Sequence, residues 1–234
     1  MAWAIEYRHN HPERQRGMAL ACVRNDKFTS ISVIADPTLP FITEWVYEAG
    51  LHIDQVHVTG SATLFRTDVS NEQTFDPVHL TSVSSGRSRR QGVELSLNAP
   101  LGESARISGN ATFTDAKYLD LTTPDGNNLV GTRVANTAKY VGSGAVEFGK
   151  TSDLWSVRIS ANVVGPYTPF AEVGAELPAY GLVHLTTRLL VGGRTTLRLG
   201  VRNLFDARYP ELRAGGFLSP GQPRSVYGGL SYLI

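Results

Sequence analysis

The side chains that could do chemistry are few and dispersed. His9 and His11 have a spacing seen in metal sites, but a lone pair of histidines in a polar segment favours a solvated loop. Residues 125–128, Asp-Gly-Asn-Asn, favour a turn, because a calcium loop needs more oxygen ligands at regular spacing. Cys22 is the single cysteine and forms no internal disulfide. We therefore expect no metal site and no cofactor.

The best candidate for catalysis is His184, with the hydroxyl of Thr186 two positions away. A nucleophile needs a base within hydrogen-bond reach, and a third group must orient that base. No Ser follows His184 at short range in a motif with Asn and Gly. We therefore expect no catalytic residues and no enzyme.

Composition excludes some classes of function. The chain has 234 residues, of which 41% are hydrophobic, with a formal net charge of +1 and a mean hydropathy of -0.13. The balanced charge argues against nucleic acid as a partner. The longest apolar run, residues 18–23, is far shorter than the roughly 20 residues of a membrane helix. If the chain crosses a bilayer, it does so as strands.

Apolar and polar side chains alternate in segment after segment, which is the period of a strand with one dry and one wet face. A soluble β-sandwich also shows this pattern, so alternation alone does not identify a membrane protein. The apolar positions are Trp45, Tyr47, Ala49, Leu51 and Ile53; Val56, Val58, Ala62 and Leu64; Val93, Leu95 and Leu97; Ile107, Ala111 and Phe113; Trp155, Val157, Ile159 and Val163; Leu197, Leu199 and Val201; and Val226, Leu230, Tyr232 and Ile234.

The lengths of the connections favour a membrane barrel, in which short turns on one side alternate with long loops on the other. Strands of about 9 to 13 residues also suit a tilted membrane crossing. The tally back to Thr43 gives about nine strands, and residues 2–8, 17–24 and 27–35 could add three. The tight links are residues 54–55, 99–102, 149–152 and 191–193, and the long loops are residues 71–87, 117–136, 166–177 and 205–223.

Several short motifs occur along the chain in a particular order. Asn203, Leu204, Phe205 and Asp206 follow the penultimate strand, with Tyr209 close behind. With these residues the chain resembles the C-terminal barrel of TonB-dependent outer-membrane receptors, and the resemblance covers residues 28–234. Further matches are Pro37 and Leu39 in a loop, Tyr47, Glu48, Gly50 and Leu51, Leu64 and Phe65, Gly92 to Leu95 after the basic run of residues 87–90, and Pro223 and Arg224 before the last strand.

The resemblance implies an all-β fold, an antiparallel transmembrane β-barrel of which the chain supplies about twelve up-and-down strands. The family's barrels have about 22 strands around a plug domain. Residues 1–234 would then be the C-terminal portion of a receptor barrel, without the plug domain or the signal peptide. The alternative is the product of a truncated gene that does not function.

The polar face of such a barrel would line the lumen. Polar groups there reflect a wet lumen in the first place, and they could also hold a plug or screen an anionic ligand. The opposite face would contact lipid, with Trp45, Tyr47, Trp155 and Tyr232 as lipid-facing or interfacial residues. The charged lumen candidates are Glu48, Arg106, Glu147, Arg158, Arg188, Arg198 and Arg202.

For function, the resemblance implies energy-coupled uptake of a ferric siderophore, cobalamin or another large nutrient across the Gram-negative outer membrane. The implied partners are outer-membrane lipid and lipopolysaccharide, the plug and N-terminal half of the barrel, TonB through that plug, and the barrel assembly machinery through the C-terminal strand. Arg87, Arg89 and Arg90 could meet acidic head groups or lipopolysaccharide, or simply anchor the end of a strand. Export requires a signal peptide upstream in the full-length chain.

Two alternatives belong to other classes of protein. Twelve strands is also the size of outer-membrane phospholipases, which makes a small barrel enzyme an alternative despite the missing catalytic motif. A soluble β-sandwich binding module is the other alternative. It is opposed by the asymmetry of the loops and by the unprotected apolar strand at the C-terminus.

Overall fold

The structure is a computed structural model that describes residues 2–6, 16–24, 27–39, 42–55, 57–76, 81–84, 86–123, 125–149, 154–170, 176–214 and 217–233. These ranges contain no helix that is long and apolar enough to cross a membrane. The strands are β1 (Ala2–Glu6), β2 (Arg16–Arg24), β3 (Lys27–Leu39), β4 (Ile42–Asp54), β5 (Thr59–Ser70), β6 (Gln73–Asp76), β7 (Thr81–Ser84), β8 (Arg87–Pro100), β9 (Ala105–Asp120), β10 (Tyr140–Phe148), β11 (Trp155–Val164), β12 (Tyr180–Val191), β13 (Thr195–Arg202), β14 (Pro210–Ala214), β15 (Phe217–Pro220) and β16 (Ser225–Tyr232).

Twelve of the strands form one antiparallel sheet in the order β1-β2-β3-β4-β5-β8-β9-β10-β11-β12-β13-β16. Each strand pairs with the strand before it in this order and with the strand after it, so the sheet is an up-and-down meander. The prediction of nine strands from Thr43 onward is confirmed, as are the three added strands β1, β2 and β3. We call the end with the links before β8, β10, β12 and β16 the long-loop end, and the opposite end the short-turn end.

Two predicted loops contain structure of their own. β6 pairs with β7 inside residues 71–87, and β14 pairs with β15 inside residues 205–223. Their strands have only four or five residues, too few for alternation to stand out in the sequence. Two of the long loops therefore each contain a small, separate two-stranded sheet.

Other predicted boundaries also shift. Pro37 and Leu39 lie in β3 instead of a loop, beside a shift of register. β9 continues to Asp120, past the expected loop start at residue 117, because the returning chain pairs with it: the Tyr118 N–H donates to the Thr132 carbonyl at 3.0 Å. His9, His11 and the turn at residues 25–26 lie outside the described residues.

The sheet separates apolar from polar side chains. Leu64, Val93 and Phe113 are register neighbours on one side, where Leu64 is 60% and Phe113 51% exposed. The other side carries polar neighbours, such as Ser61 and Ser96, whose hydroxyls lie 2.7 Å apart. We call these the outer face and the inner face. A wide exposed apolar face is expected where the surrounding medium is lipid.

Large aromatic residues mark both ends of the outer face. Trp45 and Tyr47 lie towards the long-loop end of β4, whereas Trp155 begins β11 and Tyr232 ends β16 at the short-turn end. All four are substantially exposed. Their placement is that of aromatic residues at the two interfaces of a bilayer.

A small core lies on the inner side of β9 at the long-loop end. Ala116, Tyr118, Leu121 and Val134 are buried together, and Tyr118 is only 1% exposed. The loop after β9 therefore folds back over the inner face. The predicted turn at residues 125–128 is confirmed, since the Gly126 N–H donates to the Thr123 carbonyl at 2.9 Å and Gly126 has a φ of 84°.

Replacing Ile159 by Arg tests the assignment of the two faces. Ile159 lies in the middle of the outer face of β11, so we expect Ile159→Arg to destabilise the membrane-inserted protein by about 2 to 4 kcal/mol or to block assembly. The matched control is Ser160→Arg, one residue further and on the inner face, which should be mild. Unfolding in denaturant in a bilayer measures both. Equal tolerance at the two positions would contradict the assignment.

Candidate functional site

The candidate site is the inner face together with its long-loop end. The strand register places all seven predicted lumen residues on the inner face. Near the short-turn end, Glu147 lies opposite Arg106 on one side and Arg158 on the other, and the Arg158 Nη1 is 3.4 Å from the Glu147 Oε2. Arg188 and Arg198 are register partners, so two cations face each other there. The inner wall is thus polar and densely charged.

On the inner face, a tyrosine of the last strand lies over a glycine of the neighbouring strand and reaches the strand beyond it. Tyr227 of β16 lies beside Gly200 of β13, and its hydroxyl is 2.9 Å from the Thr186 Oγ1 on β12. A Cβ at position 200 would overlap the Tyr227 ring. The Arg202 guanidinium stacks over the same ring, 5.1 Å from its centroid. Tyr227 therefore connects three strands because residue 200 has no side chain.

Asn203 organises the loop that follows β13. It is 3% exposed and has a left-handed backbone with a φ of 51°. Its Nδ2 donates to the carbonyls of Ala207 at 2.9 Å and Gln222 at 3.1 Å, and its Oδ1 accepts the Ala207 N–H at 2.8 Å. One side chain therefore ties the start of this loop to its end.

Other residues of the motif complete this connection. The Asp206 Oδ1 accepts the Arg224 N–H at 2.8 Å, which links the motif to the residue just before β16. The Leu204 N–H donates to the Val183 carbonyl at 2.7 Å, and Phe205 is 74% exposed. The side chains of Asn203 and Asp206 thus hold the loop before the last strand at both of its ends.

His184 connects the same motif to the wall. Its Nδ1 accepts the Asn203 N–H at 3.2 Å, and its Nε2 is 3.1 Å from the side-chain amide nitrogen of Asn162 on β11. Both ring nitrogens are thus engaged with amide groups, in the manner of a structural histidine. Within the described ranges, no group of three His, Cys, Asp or Glu side chains is placed to hold a metal ion.

Three tyrosines join two long loops at the long-loop end. Tyr180 stacks on Tyr209 with ring centroids 4.4 Å apart, and the Tyr167 hydroxyl donates to the Glu211 carbonyl at 2.9 Å. Burial, together with the negative charge of Glu211, raises the pKa of the Tyr167 phenol. Tyr209 packs where a Cβ of Gly221 would lie. These contacts bring Tyr167, Tyr180 and Tyr209 to one end of the sheet from segments far apart in sequence, and we call the three residues the tyrosine wall.

Sequence reasoning placed the polar face but missed these contacts. No sequence motif marks the contact of Tyr227 with Gly200 and Thr186. No periodic pattern marks Tyr167 and Tyr180, which lie in or beside a long loop. Alternation predicts which side of a strand a residue faces, but it does not predict a contact across 41 positions such as that of Thr186 with Tyr227.

The comparisons with known proteins agree with this geometry. The family model described as TonB dependent receptor-like, beta-barrel, matches residues 33–204. The chain belongs to the TonB-dependent receptor family. Members of this family are outer-membrane proteins, barrels that work with TonB and a plug domain. The barrel is only partly present in the chain.

Individual relatives support the family assignment. The chain is 32% identical over 191 residues to the metal-pseudopaline receptor CntO of Pseudomonas aeruginosa. The matched region covers 77% of the chain and 26% of CntO. The chain thus spans about a quarter of the length of this relative. The relatives are transport receptors rather than enzymes.

Solved structures show the same fold. The ferric yersiniabactin uptake receptor FyuA of Yersinia pestis superposes with a TM-score of 0.76 at 18% identity, covering 92% of the chain and 36% of FyuA. The siderophore receptor PiuA of Acinetobacter baumannii gives a TM-score of 0.73 at 21% identity, covering 93% of the chain and 35% of PiuA. The sheet is therefore a section of wall from a TonB-dependent receptor barrel.

Replacing Asn203 by Ala should destabilise the protein by roughly 2 to 4 kcal/mol, because buried partners lose their hydrogen bonds and Ala disfavours a left-handed backbone. The control is Asn71→Ala, since Asn71 is exposed and has a similar φ of 58°. It should cost only the backbone share, about 1 to 2 kcal/mol. Denaturant unfolding compares them, and equal losses would contradict the role of the Asn203 side chain.

Replacing Gly200 by Ala should displace the Tyr227 ring and cost about 1 to 3 kcal/mol, because the added methyl overlaps that ring. The control is Gly229, which lies in β16 and also on the inner face, but a Cβ there meets nothing within 4 Å. Gly229→Ala should therefore be neutral or slightly stabilising. Thermal unfolding of the two variants measures both changes. A neutral Gly200→Ala would show that the ring does not need the glycine.

Proposed function

We propose that the chain is part of an outer-membrane receptor for the energy-coupled uptake of a large nutrient, such as a ferric siderophore, cobalamin or another chelate. The observation that carries this proposal is a polar inner face that ends in the tyrosine wall at the long-loop end, within a fold belonging to a family of uptake receptors. The long-loop end would face the outside of the cell and capture the nutrient.

Within this proposal, the substrate class supported best is an anionic metal chelate. The seven charged lumen candidates are five arginines and two glutamates, a surplus of positive charge that favours an anionic ligand. Arg202 lies on Tyr227 near the long-loop end, where a planar, charged ligand would find both an aromatic surface and a guanidinium. The similarity to CntO, a metal-pseudopaline receptor, and to FyuA, a ferric yersiniabactin uptake receptor, supports the same class.

The partners follow from the place of the chain within a receptor. The plug domain and the remaining strands would belong to parts of the receptor outside the matched 26% of CntO, and TonB would act through that plug. The outer face would contact membrane lipid, including lipopolysaccharide. β16 would present the strand that the barrel assembly machinery recognises.

A barrel enzyme is less well supported. His184 was the best catalytic candidate, and both of its ring nitrogens contact amide groups. Neither contact supplies a nucleophile or an acidic group that would orient a base. The described contacts of His184 instead stabilise the loop that carries the tyrosine wall.

An uptake assay in the host tests the proposal. Disrupting the gene should lower the energy-dependent accumulation of radiolabelled metal from at least one chelator, and the natural-length gene should restore it. In that receptor, Arg202→Glu combined with Tyr209→Ala should weaken chelate binding on the order of tenfold, because it removes the cation and the aromatic surface. Arg194→Glu, a charge reversal at an exposed position in the turn before β13 at the short-turn end, is the control. Unchanged uptake of every chelator after gene disruption would overturn the proposal.

A further inference from the structure

Cationic side chains collect on the outer face at the long-loop end, away from the inner site. Asp68, Arg89, Lys117 and Arg133 are register neighbours in a row across four adjacent segments. Arg66 lies on the same face one step towards the middle of the sheet, as does Asp115. Because facing residues of paired strands project to the same side, all six belong to the outer face. Four cations and two carboxylates leave this patch positive.

Asp68 orients two arginines at once. Its Oδ2 accepts the Arg66 Nε–H at 2.9 Å, and its Oδ1 accepts the Arg89 Nε–H at 2.6 Å. Among the residues that the structure describes, the terminal Nη groups of both arginines have no further hydrogen-bond partner. The carboxylate thus holds two guanidiniums by their inner nitrogens and leaves their outer nitrogens available. We call this arrangement the arginine fork.

The neighbouring cations add positive charge to the row. Arg133 lies at its end, but the Arg133 Nη1 is buried without a hydrogen-bond partner in the described part of the chain, so this atom is closed to an external ligand. Lys117 lies between Arg89 and Arg133, with its Nζ 3.1 Å from the Asp115 Oδ2. Positive charge therefore extends across the row beside the fork.

The surface directly below the fork is apolar. A depression of about 580 Å³ is bordered there by Arg66 and Asp115 and by the side chains of Leu64, Val93 and Phe113. Phe113 also contacts Tyr140, with ring centroids 6.4 Å apart. A ligand that fits this surface carries a negative group at the long-loop end and a hydrocarbon chain beneath it.

We propose that Arg66, Arg89 and Lys117 form a binding site for lipid-borne phosphate, with Asp68 as the positioning residue and Arg133 adding positive charge beside it. The occupant is a phosphorylated lipid of the outer leaflet, the lipid A part of lipopolysaccharide. Guanidinium pairs match the geometry of phosphate oxygens. The inference rests on the outer-membrane location in the proposed function. It deepens that proposal by naming residues for a lipid partner.

The structure also divides the basic run of residues 87–90. Arg89 faces outward in the fork, whereas Arg90 faces inward and forms an ion pair with Glu72. The hypothesis that Arg87, Arg89 and Arg90 act together at a lipid surface therefore does not hold for Arg90. Arg89 lies in the fork, and its partner cations come from other strands.

The test uses the natural-length receptor extracted from outer membranes in mild detergent and stripped of lipid. Binding of bis-phosphorylated lipid A is compared with binding of its dephosphorylated form by native mass spectrometry. The double variant Arg66→Ala/Arg89→Ala should bind the phosphorylated lipid roughly thirtyfold more weakly. The inward double variant Arg106→Gln/Arg198→Gln, with equal loss of charge, should change binding less than about twofold. Circular dichroism verifies that both variants are folded.

Asp68→Asn separates the fork from a diffuse positive patch. This change makes the patch more positive, so simple charge attraction would strengthen lipid binding. The fork predicts weaker binding, because the amide cannot accept from both guanidiniums as strongly as the carboxylate does. Tighter binding in Asp68→Asn would overturn the role of Asp68 as a positioning residue.

Other outcomes of these experiments would overturn the lipid A site or its occupant. Equal binding of phosphorylated and dephosphorylated lipid A, or equal losses in the outward and inward double variants, would overturn the site. Competition by millimolar inorganic phosphate without any requirement for acyl chains would overturn the lipid as occupant. Failure of the site would leave the receptor in the outer membrane and its nutrient uptake intact. Failure of the proposed function would instead appear as unchanged uptake after gene disruption.

Discussion

The unbroken antiparallel hydrogen-bond ladder is the constraint on which the rest of the structure depends. A bilayer offers no water to the backbone, so each N–H and C=O inside it must pair with a neighbouring strand. Strands in sequential order meet this requirement between neighbours with local connections alone, and the outer edges of β1 and β16 have no neighbour among the described strands. The same pairing sends successive side chains to opposite faces, so one regular ladder produces both a lipid-facing surface and a polar lumen wall.

Within this regular ladder, position-specific contacts anchor the last strand. Tyr227 crosses Gly200 to reach Thr186, and Asn203 ties the start of the preceding loop to its end. His184 joins that loop to β11 and β12. The family motif is therefore a structural element that sets the position of β16. By holding the same loop, it also holds Tyr209 against Tyr180 in the tyrosine wall.

The two faces use the same residue types for different purposes. Arg89 and Arg90 are adjacent in sequence, yet one faces the outside of the wall beside Asp68 and the other pairs with Glu72 on the inside. On the inner face, Arg106 and Arg158 flank Glu147, which offsets part of their positive charge. Charge alone therefore does not reveal function here, because the face on which a charge lies decides what it can meet.

The twelve long strands of the main sheet, their direction and the faces of the alternating side chains could be predicted from the sequence, because alternation is a local property that any strand must display to keep one face apolar. The same alternation placed the seven charged lumen candidates on one face. Which distant residues meet depends on the folded chain: the arginine fork joins positions 21 apart, and the Tyr167 to Glu211 bond spans 44. Such contacts depend on strand register and on how long loops fold back, and neither follows from a period of two. The hairpins β6–β7 and β14–β15 were missed for a related reason, since strands this short carry too little pattern to read.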